Sequence, residues 1–431
     1  MLAATALGSV EYRSIVEPLR ISNPLVQYIQ GEAEDIWPDK KILSVFTSIR
    51  EEQQHVNISY DYLVYAVGSK VGDFGVRGVK EYCSFIKEVE DVRSLKSKLL
   101  LNFEVASLPG VSEQEKTRLL TFAVVGAGPT GVEFVGELLD FVEDKVNKLY
   151  PEFSALIRIV LLDASPNILN AFDGALRSQA LGSIQKRGVQ VMLNTRVLEV
   201  KERTILFRKK EDIGRSNASS ELSYGLCVWA GGTAHRPISE TLARRIGEDQ
   251  MVSLKTTGRL RMDPWLRLEG APLGSVLACG DCAVTVGSDE STGGAEGSPR
   301  LPQTAQVAAQ QGAYIAHLFN RQYVLSDPVP VMGPRPPSWI YYPLTALRAG
   351  GIQSALPFTF LNLGQLAYIG QDNAVAQVDF GESELMRISG SQAYFLWKSV
   401  YLVKQVSTRT RILVLFDYLK TWLFGRDLSA L

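Results

Sequence analysis

This sequence predicts an α/β fold built from two nucleotide-binding units, and three observations carry the prediction. Apolar runs of strand length alternate with segments of helical periodicity along most of the chain. A glycine-rich turn, Gly126-Ala127-Gly128-Pro129-Thr130-Gly131, stands between one such strand and one such helix. Two further runs, Leu63-Val64-Tyr65-Ala66-Val67-Gly68 and Cys227-Val228-Trp229-Ala230-Gly231-Gly232, share one shape, a strand closing on a small residue and glycine. Each reads as the closing strand of a nucleotide-binding unit. The second has its opening turn upstream at 126–131. The first has none, so its opening strand and loop would have to precede Met1.

Length and composition set the frame. The 431 residues exceed one ordinary domain, and 46% hydrophobic side chains suffice for full cores. The 45 basic and 46 acidic groups nearly cancel, which excludes wholesale nucleic-acid binding. Four cysteines are too few for a disulfide scaffold and point to a reducing compartment. The three histidines, His55, His235 and His317, lack metal-ligand spacing, so no metal is expected. No apolar run has the length of a spanning helix, and the N-terminus shows neither a signal peptide nor an Arg-rich transit peptide. Pro/Gly/Ser-rich stretches at 285–300 and 326–355 read as surface loops.

The glycine turn sits in the context a dinucleotide site requires. Thr121-Phe122-Ala123-Val124-Val125 precedes it as an apolar strand, and an amphipathic helix with Val132, Val135, Leu138, Leu139 and Val142 follows. Gly126 permits the tight turn, Gly128 lets a pyrophosphate approach the backbone, and Gly131 allows helix to pack on strand. The helix N-terminus then offers N–H groups and positive potential to the phosphates. Asp163, ending the apolar run Ile157-Arg158-Ile159-Val160-Leu161-Leu162, occupies the place of the acid that holds the adenosine ribose. It lies 32 residues past Gly131, against about 20 in the usual spacing, and a longer helix through Phe141–Tyr150 with the Pro151 turn accounts for the delay. An acid there repels a 2′-phosphate, which favours NADH over NADPH. The bland alternative is a glycine-rich turn beside an ordinary strand-end aspartate.

A second strand, Val276-Leu277-Ala278-Cys279, ends in Gly280-Asp281. In two-domain flavoprotein reductases an aspartate so placed binds the ribityl or phosphate side of the flavin; a plain strand-end turn is the alternative. Cys279 and Cys282 also form a C-x-x-C pair, a weaker reading because the two flank the Gly-Asp that the flavin reading already uses. Further on, Pro302 suits a helix start, and Ala305, Ala308, Ala309 and Gly312 keep one side of that helix small enough for a flat ring to approach. Gln306 and Gln310, four apart, share a face and offer uncharged amides to a flavin or quinone carbonyl; the alternative is an alanine-rich core helix with solvated glutamines. At 393–426 the basic Lys398, Lys404, Arg409, Arg411, Lys420 and Arg426 accompany Trp397, Tyr401, Tyr418 and Trp422 in two amphipathic segments. Such segments suit a membrane interface, or packed helices of a homodimer.

With these pieces placed, the chain resembles the type II (alternative, rotenone-insensitive) NADH:quinone oxidoreductases. The resemblance runs through Gly8–Pro18, Tyr60–Gly68, Phe85–Asp91, Val125–Glu133, the Ala-Gln-x-Ala-x-Gln helix at 305–310, Leu366–Gly370 and Trp422–Asp427. It implies two Rossmann-like nucleotide-binding domains, the NADH one inserted into the FAD one, with a C-terminal amphipathic helical membrane anchor. The expected extents are 1–115 and 241–345 for the FAD part, 116–240 for the NADH part and 346–431 for the anchor. It further implies non-covalent FAD and NADH as cofactors, a quinone as the membrane-side substrate, and no proton pumping. By the same likeness Glu133 sits near the nicotinamide, Asp281 and Gly280 hold FAD, Gly232 closes the NADH unit, and Gln306 and Gln310 line the flavin–quinone region. A peripheral place on the mitochondrial inner membrane is expected, with thylakoid and bacterial plasma membranes as alternatives.

Three departures matter. No glycine-rich loop for the ADP part of FAD precedes Gly8, an Ala-Thr-Gly turn is replaced by Ala230-Gly231-Gly232, and no calcium loop occurs. Two other readings therefore stay beside the reductase: a truncated, flavin-free, non-catalytic NADH-binding homologue, and a soluble reductase of the disulfide or ferredoxin type.

Overall fold

The structure, a computed structural model, describes residues 1–49, 52–212, 219–247, 250–252, 258–285, 301–332, 354–379 and 385–427. The chain forms two compact units, one of Met1–Tyr28, Val71–Gly232 and Asn362–Leu431, the other of Ile29–Lys70 and Thr233–Leu361. These divisions differ from the expected domain extents. Residues 1–28 and 71–115, placed with the flavin half, pack instead with the glycine turn. The cause is the helix Val89–Ala106, whose Val92, Leu95, Leu99, Phe103 and Ala106 form one buried row in the same core as Phe122, Val124 and Leu138. Ala3, Ala6 and Leu7 join that core from the N-terminus, and Ala367, Ile369 and Val375 from the C-terminal region. The expected boundary at 345 lies outside the described residues.

The first unit is organised on a five-stranded parallel sheet. Its order is Ser84–Phe85, Leu226–Trp229, Thr121–Val125, Arg158–Leu162, Gln190–Met192. Every residue of Thr121–Val125 and Leu226–Trp229 is buried, as strands covered on both faces require. The helix Pro129–Phe141 leaves the central strand and continues through a wide turn at Val142–Val146 to Asn147–Leu149 and then Pro151–Phe153. That path consumes the extra residues between Gly131 and Asp163.

Pro129–Phe141 is not the half-solvated amphipathic helix that its pattern predicts, since Gly131 through Phe141 are all buried. The antiparallel sheet Gln365–Gly370, Asn373–Asp379, Leu385–Gly390 covers the polar side. Gly136 permits this, because a Cβ there would lie 2.8 Å from the Gly370 nitrogen. Two helices follow, Ser391–Val403 and Thr408–Phe424, the second capped by Ser407, which accepts from the Thr410 N–H. The expected interfacial aromatics divide between two faces. Trp397, 3% exposed, stacks on Tyr368 and Tyr394 and meets Tyr401, whereas Trp422 is 80% exposed. Trp397 is thus a core residue with Tyr401 partly buried against it, and Phe395, Val403, Val406, Phe416 and Phe424 share the outward role with Trp422. Among the described residues no helix is long and apolar enough to cross a membrane.

In the second unit an antiparallel meander, Glu32–Trp37, Ile42–Ile49 and Glu52–Ser59, accompanies a parallel pair, Leu63–Tyr65 with Val276–Ala278. The helix Ala305–Asn320 begins at Thr304, whose hydroxyl accepts from the Val307 N–H at 3.3 Å. The start is therefore set by Thr304, because a side-chain oxygen at the cap satisfies an otherwise orphaned N–H, and Pro302 lies outside the helix.

Candidate active site

The three glycines of the 126–131 turn have three separate reasons to be glycine. Gly126 has φ +109, and a Cβ there would lie 2.8 Å from the Ala230 carbonyl carbon. Gly131 would place a Cβ 1.9 Å from the Gly126 oxygen. Gly128, extended at φ −73 and ψ −178, would meet nothing within 4 Å. Its surroundings are open at the head of a thirteen-residue helix, where an anion finds N–H groups and the positive end of the helix dipole. Pro129 and Thr130 are exposed beside it.

Asp163 has an additional task that the sequence did not disclose. Its Oδ2 accepts from the Ala127 N–H at 2.5 Å and its Oδ1 from the Ser165 N–H at 2.7 Å. The carboxylate thereby pins the glycine turn to the end of the neighbouring strand. Each oxygen retains a lone pair that a ribose hydroxyl can use.

In the second unit Asp281 receives the Ser69 hydroxyl at 2.8 Å, while its carbonyl accepts from Gln303 Nε2 at 2.9 Å. The Gln303 amide oxygen in turn accepts from the Thr233 hydroxyl at 2.6 Å. Gly280, with φ +77, would bring a Cβ to 3.4 Å from the Ala308 methyl, and its N–H donates to Gln311 Oε1 at 2.7 Å. Gln311 is 2% exposed. Gln306 and Gln310 do share a face, and both donate to the Leu361 carbonyl, at 3.5 and 2.8 Å. Gln310 also accepts from the Leu361 N–H at 2.9 Å. Ala305, Ala309 and Gly312 are exposed and leave a shallow, small-residue strip on the same helix. The geometry around Gly280, Asp281 and Ala308 fits the ribityl or phosphate part of a flavin.

Glu133, one turn into the glycine-turn helix, is 9% exposed. One oxygen, Oε1, receives Trp397 Nε1 at 3.0 Å, the Tyr368 N–H at 3.4 Å and the Tyr401 hydroxyl at 3.4 Å. Burial pushes the carboxyl above its ordinary range. Glu137 and Asp140 follow on the same face. Glu137 pairs with Arg426 at 2.6 Å, and Asp140 with Arg187 at 2.7 Å and the Tyr368 hydroxyl at 2.5 Å. Burial raises the Asp140 carboxyl too.

The family model for pyridine nucleotide-disulphide oxidoreductases matches residues 1–312, and that for the NDH2 C-terminal domain matches 362–427. External NADH-ubiquinone oxidoreductase 2, mitochondrial, of Saccharomyces cerevisiae is 34% identical over 440 residues, spanning all of this chain and 75% of the relative. The chain belongs to the type II NADH dehydrogenases. External alternative NAD(P)H-ubiquinone oxidoreductase B3, mitochondrial, of Arabidopsis thaliana is 31% identical across all of this chain and 84% of the relative. Among solved structures, NDH2 from Plasmodium falciparum in complex with NADH has the same fold, with a TM-score of 0.80 at 23% identity over 99% of this chain and 91% of that one.

For a type II NADH dehydrogenase the cysteine pair is a distraction. Cys279 and Cys282 are free thiols. Cys282 is 2% exposed in the core, and burial pushes its thiol up to about 11; burial raises Cys279 as well. A thiol held protonated is a poor nucleophile. Residues that sequence reasoning missed are Gln311, Gln303, Ser69 and Thr233 around Asp281, and Gly136 under the C-terminal sheet. Gln311 adjoined the glutamines already singled out; the others carried no spacing signal.

The buried Glu133 yields a pH prediction. Its folded pKa is raised, so its contribution to stability is intact below the unfolded pKa and is lost as pH rises through the folded one. Glutamine ionises at neither end. Glu133→Gln should therefore gain stability relative to wild type as pH rises above the ordinary carboxylate range, read by urea melts at each pH. Parallel stability curves for the two proteins would refute this account of the carboxyl.

Proposed function

We propose that the chain oxidises NADH and passes two electrons to a membrane quinone without pumping protons, with FAD and NADH as its cofactors. Bound FAD supplies the chemistry that joins the two half-reactions, accepting a hydride and releasing electrons in pairs. The observation that carries the reading is the open position at Gly128, at the head of a buried helix and on the C-terminal end of the central parallel strand. There the Gly126–Gly131 turn cradles the NADH pyrophosphate, with Pro129 and Thr130 alongside. Asp163 holds the adenosine ribose while pinning the turn, and Gly232 ends the closing strand. Gly280 and Asp281 hold the flavin side, and Ser69 and Gln303 orient Asp281.

Gln306 and Gln310 offer uncharged amides at the flavin–quinone region. Their shared bond to Leu361 orients both, so a quinone carbonyl meets preset donors. Glu133 acts as a buried acid near the nicotinamide end, its carboxyl raised above the ordinary range by burial.

The membrane contact is assigned to the outward row Ile412, Leu415, Phe416, Leu419, Trp422 and Leu423, all exposed, with Arg409, Arg411 and Lys420 on the same helix. Apolar side chains flanked by cations suit an interface of anionic lipid. The expected place is the mitochondrial inner membrane, peripherally bound.

The test is the visible spectrum of the purified chain supplied with FAD. A stoichiometric flavin that NADH bleaches and a short-chain ubiquinone restores supports the reading. A chain that binds NADH but neither retains flavin nor reduces quinone overturns it.

A further inference from the structure

Phe74 holds an unusual position for an apolar side chain. It is 72% exposed, and its backbone has φ +52, a left-handed conformation that phenylalanine adopts only at a cost. Its neighbours Val71 and Val76 pack inward, against the core that contains Trp229. Of these three apolar residues Phe74 alone turns out.

The loop carrying it is stitched in place. Trp229 Nε1 donates to the Gly72 carbonyl at 2.9 Å and to the Gly231 carbonyl at 3.1 Å. The Gly72 N–H donates to the Gly232 carbonyl at 3.3 Å. Asp73 accepts from the Gly75 N–H at 3.0 Å and pairs with Lys80 at 3.0 Å. These bonds set the Phe74 ring against the closing turn. A Cβ on Gly232 would lie 2.1 Å from the ring's Cζ, and one on Gly231 would lie 3.7 Å from Cε2. Glycine at 232 is thus favoured by its φ of +64, and its missing side chain leaves the ring its place.

The sheet order says what this ring faces. Thr121–Val125 is central, with Arg158–Leu162 on one side and Leu226–Trp229 on the other. A dinucleotide anchored by its pyrophosphate at the central strand sends its adenosine end to the side of the ribose-binding acid, which is the Arg158–Leu162 side ending in Asp163. Its other end then lies over the turn after Leu226–Trp229. That turn adjoins the glycine loop, since a Cβ on Gly126 would touch Ala230 and Gly231. Phe74 stands on it.

We infer that Phe74 is a binding residue for the nicotinamide end of NADH, an aromatic wall preset by the 72–76 loop; this rests on the reading of 126–131 as the NADH loop. A fixed ring gives a planar heterocycle a contact surface at little entropic cost, because the strain and the hydrogen bonds have already ordered it.

The test compares NADH with ADP-ribose, which keeps the adenosine and pyrophosphate but lacks nicotinamide, by calorimetric titration of the full chain. Phe74→Gly removes the ring while relaxing the left-handed backbone, so the fold is retained. This variant should bind NADH about three- to tenfold more weakly and ADP-ribose as wild type does, and Phe74→Tyr should restore NADH binding. Equal weakening of both ligands would mean that the loop only shapes the turn, and unchanged NADH binding would mean that the ring touches nothing; either overturns the assignment. Gly128→Val reports on the underlying reading separately. If it leaves ADP-ribose binding intact, the loop reading fails and this inference with it.

Discussion

Replacing Gly128 with valine is expected to abolish NADH binding while leaving the fold unchanged. The two halves of this expectation come from one fact, that a Cβ at 128 would meet no atom within 4 Å beyond its chain neighbours. The backbone is extended there, a region that β-branched residues favour, so thermal melting should match wild type. The isopropyl group would occupy the space through which a pyrophosphate reaches the helix N-terminus. Binding should fall by roughly a hundredfold or more, measured by calorimetry with NADH. Gly131→Ala provides the contrast, because its Cβ would collide with the Gly126 oxygen at 1.9 Å and should destabilise the whole unit. NADH affinity retained in Gly128→Val would show that the phosphates do not approach at 128.

Much of the loop was legible in the sequence because its requirements are local. A buried strand ending on glycine, a glycine facing open space and a glycine where helix meets strand leave a pattern within six residues. The closing strands at 63 and 227 were legible for the same reason. Packing between distant segments was not. The helix Val89–Ala106 buries its apolar row in the core of Thr121–Val125, a partner that no local pattern names, so the compact units divide residues 1–115 differently from the expected extents. The spacing of Gln306 and Gln310 gave their common face correctly. Gln311, turned about 100° away on a 3.6-residue period, is the amide that is buried on Gly280. Phe74 left no periodic trace, since its importance lies in a single left-handed residue.

The acidic face of the glycine-turn helix shows why such patterns mislead. Glu133, Glu137 and Asp140 make an acidic side of the kind that a helix ordinarily turns to water. Here each acid finds a partner supplied from far along the chain. Trp397 and Tyr368 serve Glu133, Arg426 serves Glu137, and Arg187 serves Asp140. A buried charge is tolerable only when such partners are present. The helix that follows the glycine turn is in this way tied to the C-terminal region that bears the outward apolar row.

Arg426→Met should reveal the strength of that tie. The side chain is 8% exposed and reaches Glu137 and the Ser9 hydroxyl, both at 2.6 Å, just beyond the end of the helix Thr408–Phe424. Removing it leaves Glu137 buried without its cation, a loss of about 3–5 kcal/mol by the usual cost of breaking a buried pair. Pairing the change with Glu137→Leu removes the stranded charge, and most of the loss should return, since a well-packed apolar pair often replaces a buried ion pair at little cost. Urea denaturation of the wild type, both single variants and the double variant gives the coupling directly. Additive effects would mean that the two groups do not sense one another, and the clamp would then reside in the bonds that Trp397, Tyr401 and Tyr368 make to Glu133 and Asp140. With strong coupling, the Arg426→Met chain that remains folded should keep its affinity for NADH at the Gly128 end. It should lose quinone reduction on lipid vesicles, because the outward row would no longer be held to the loop helix.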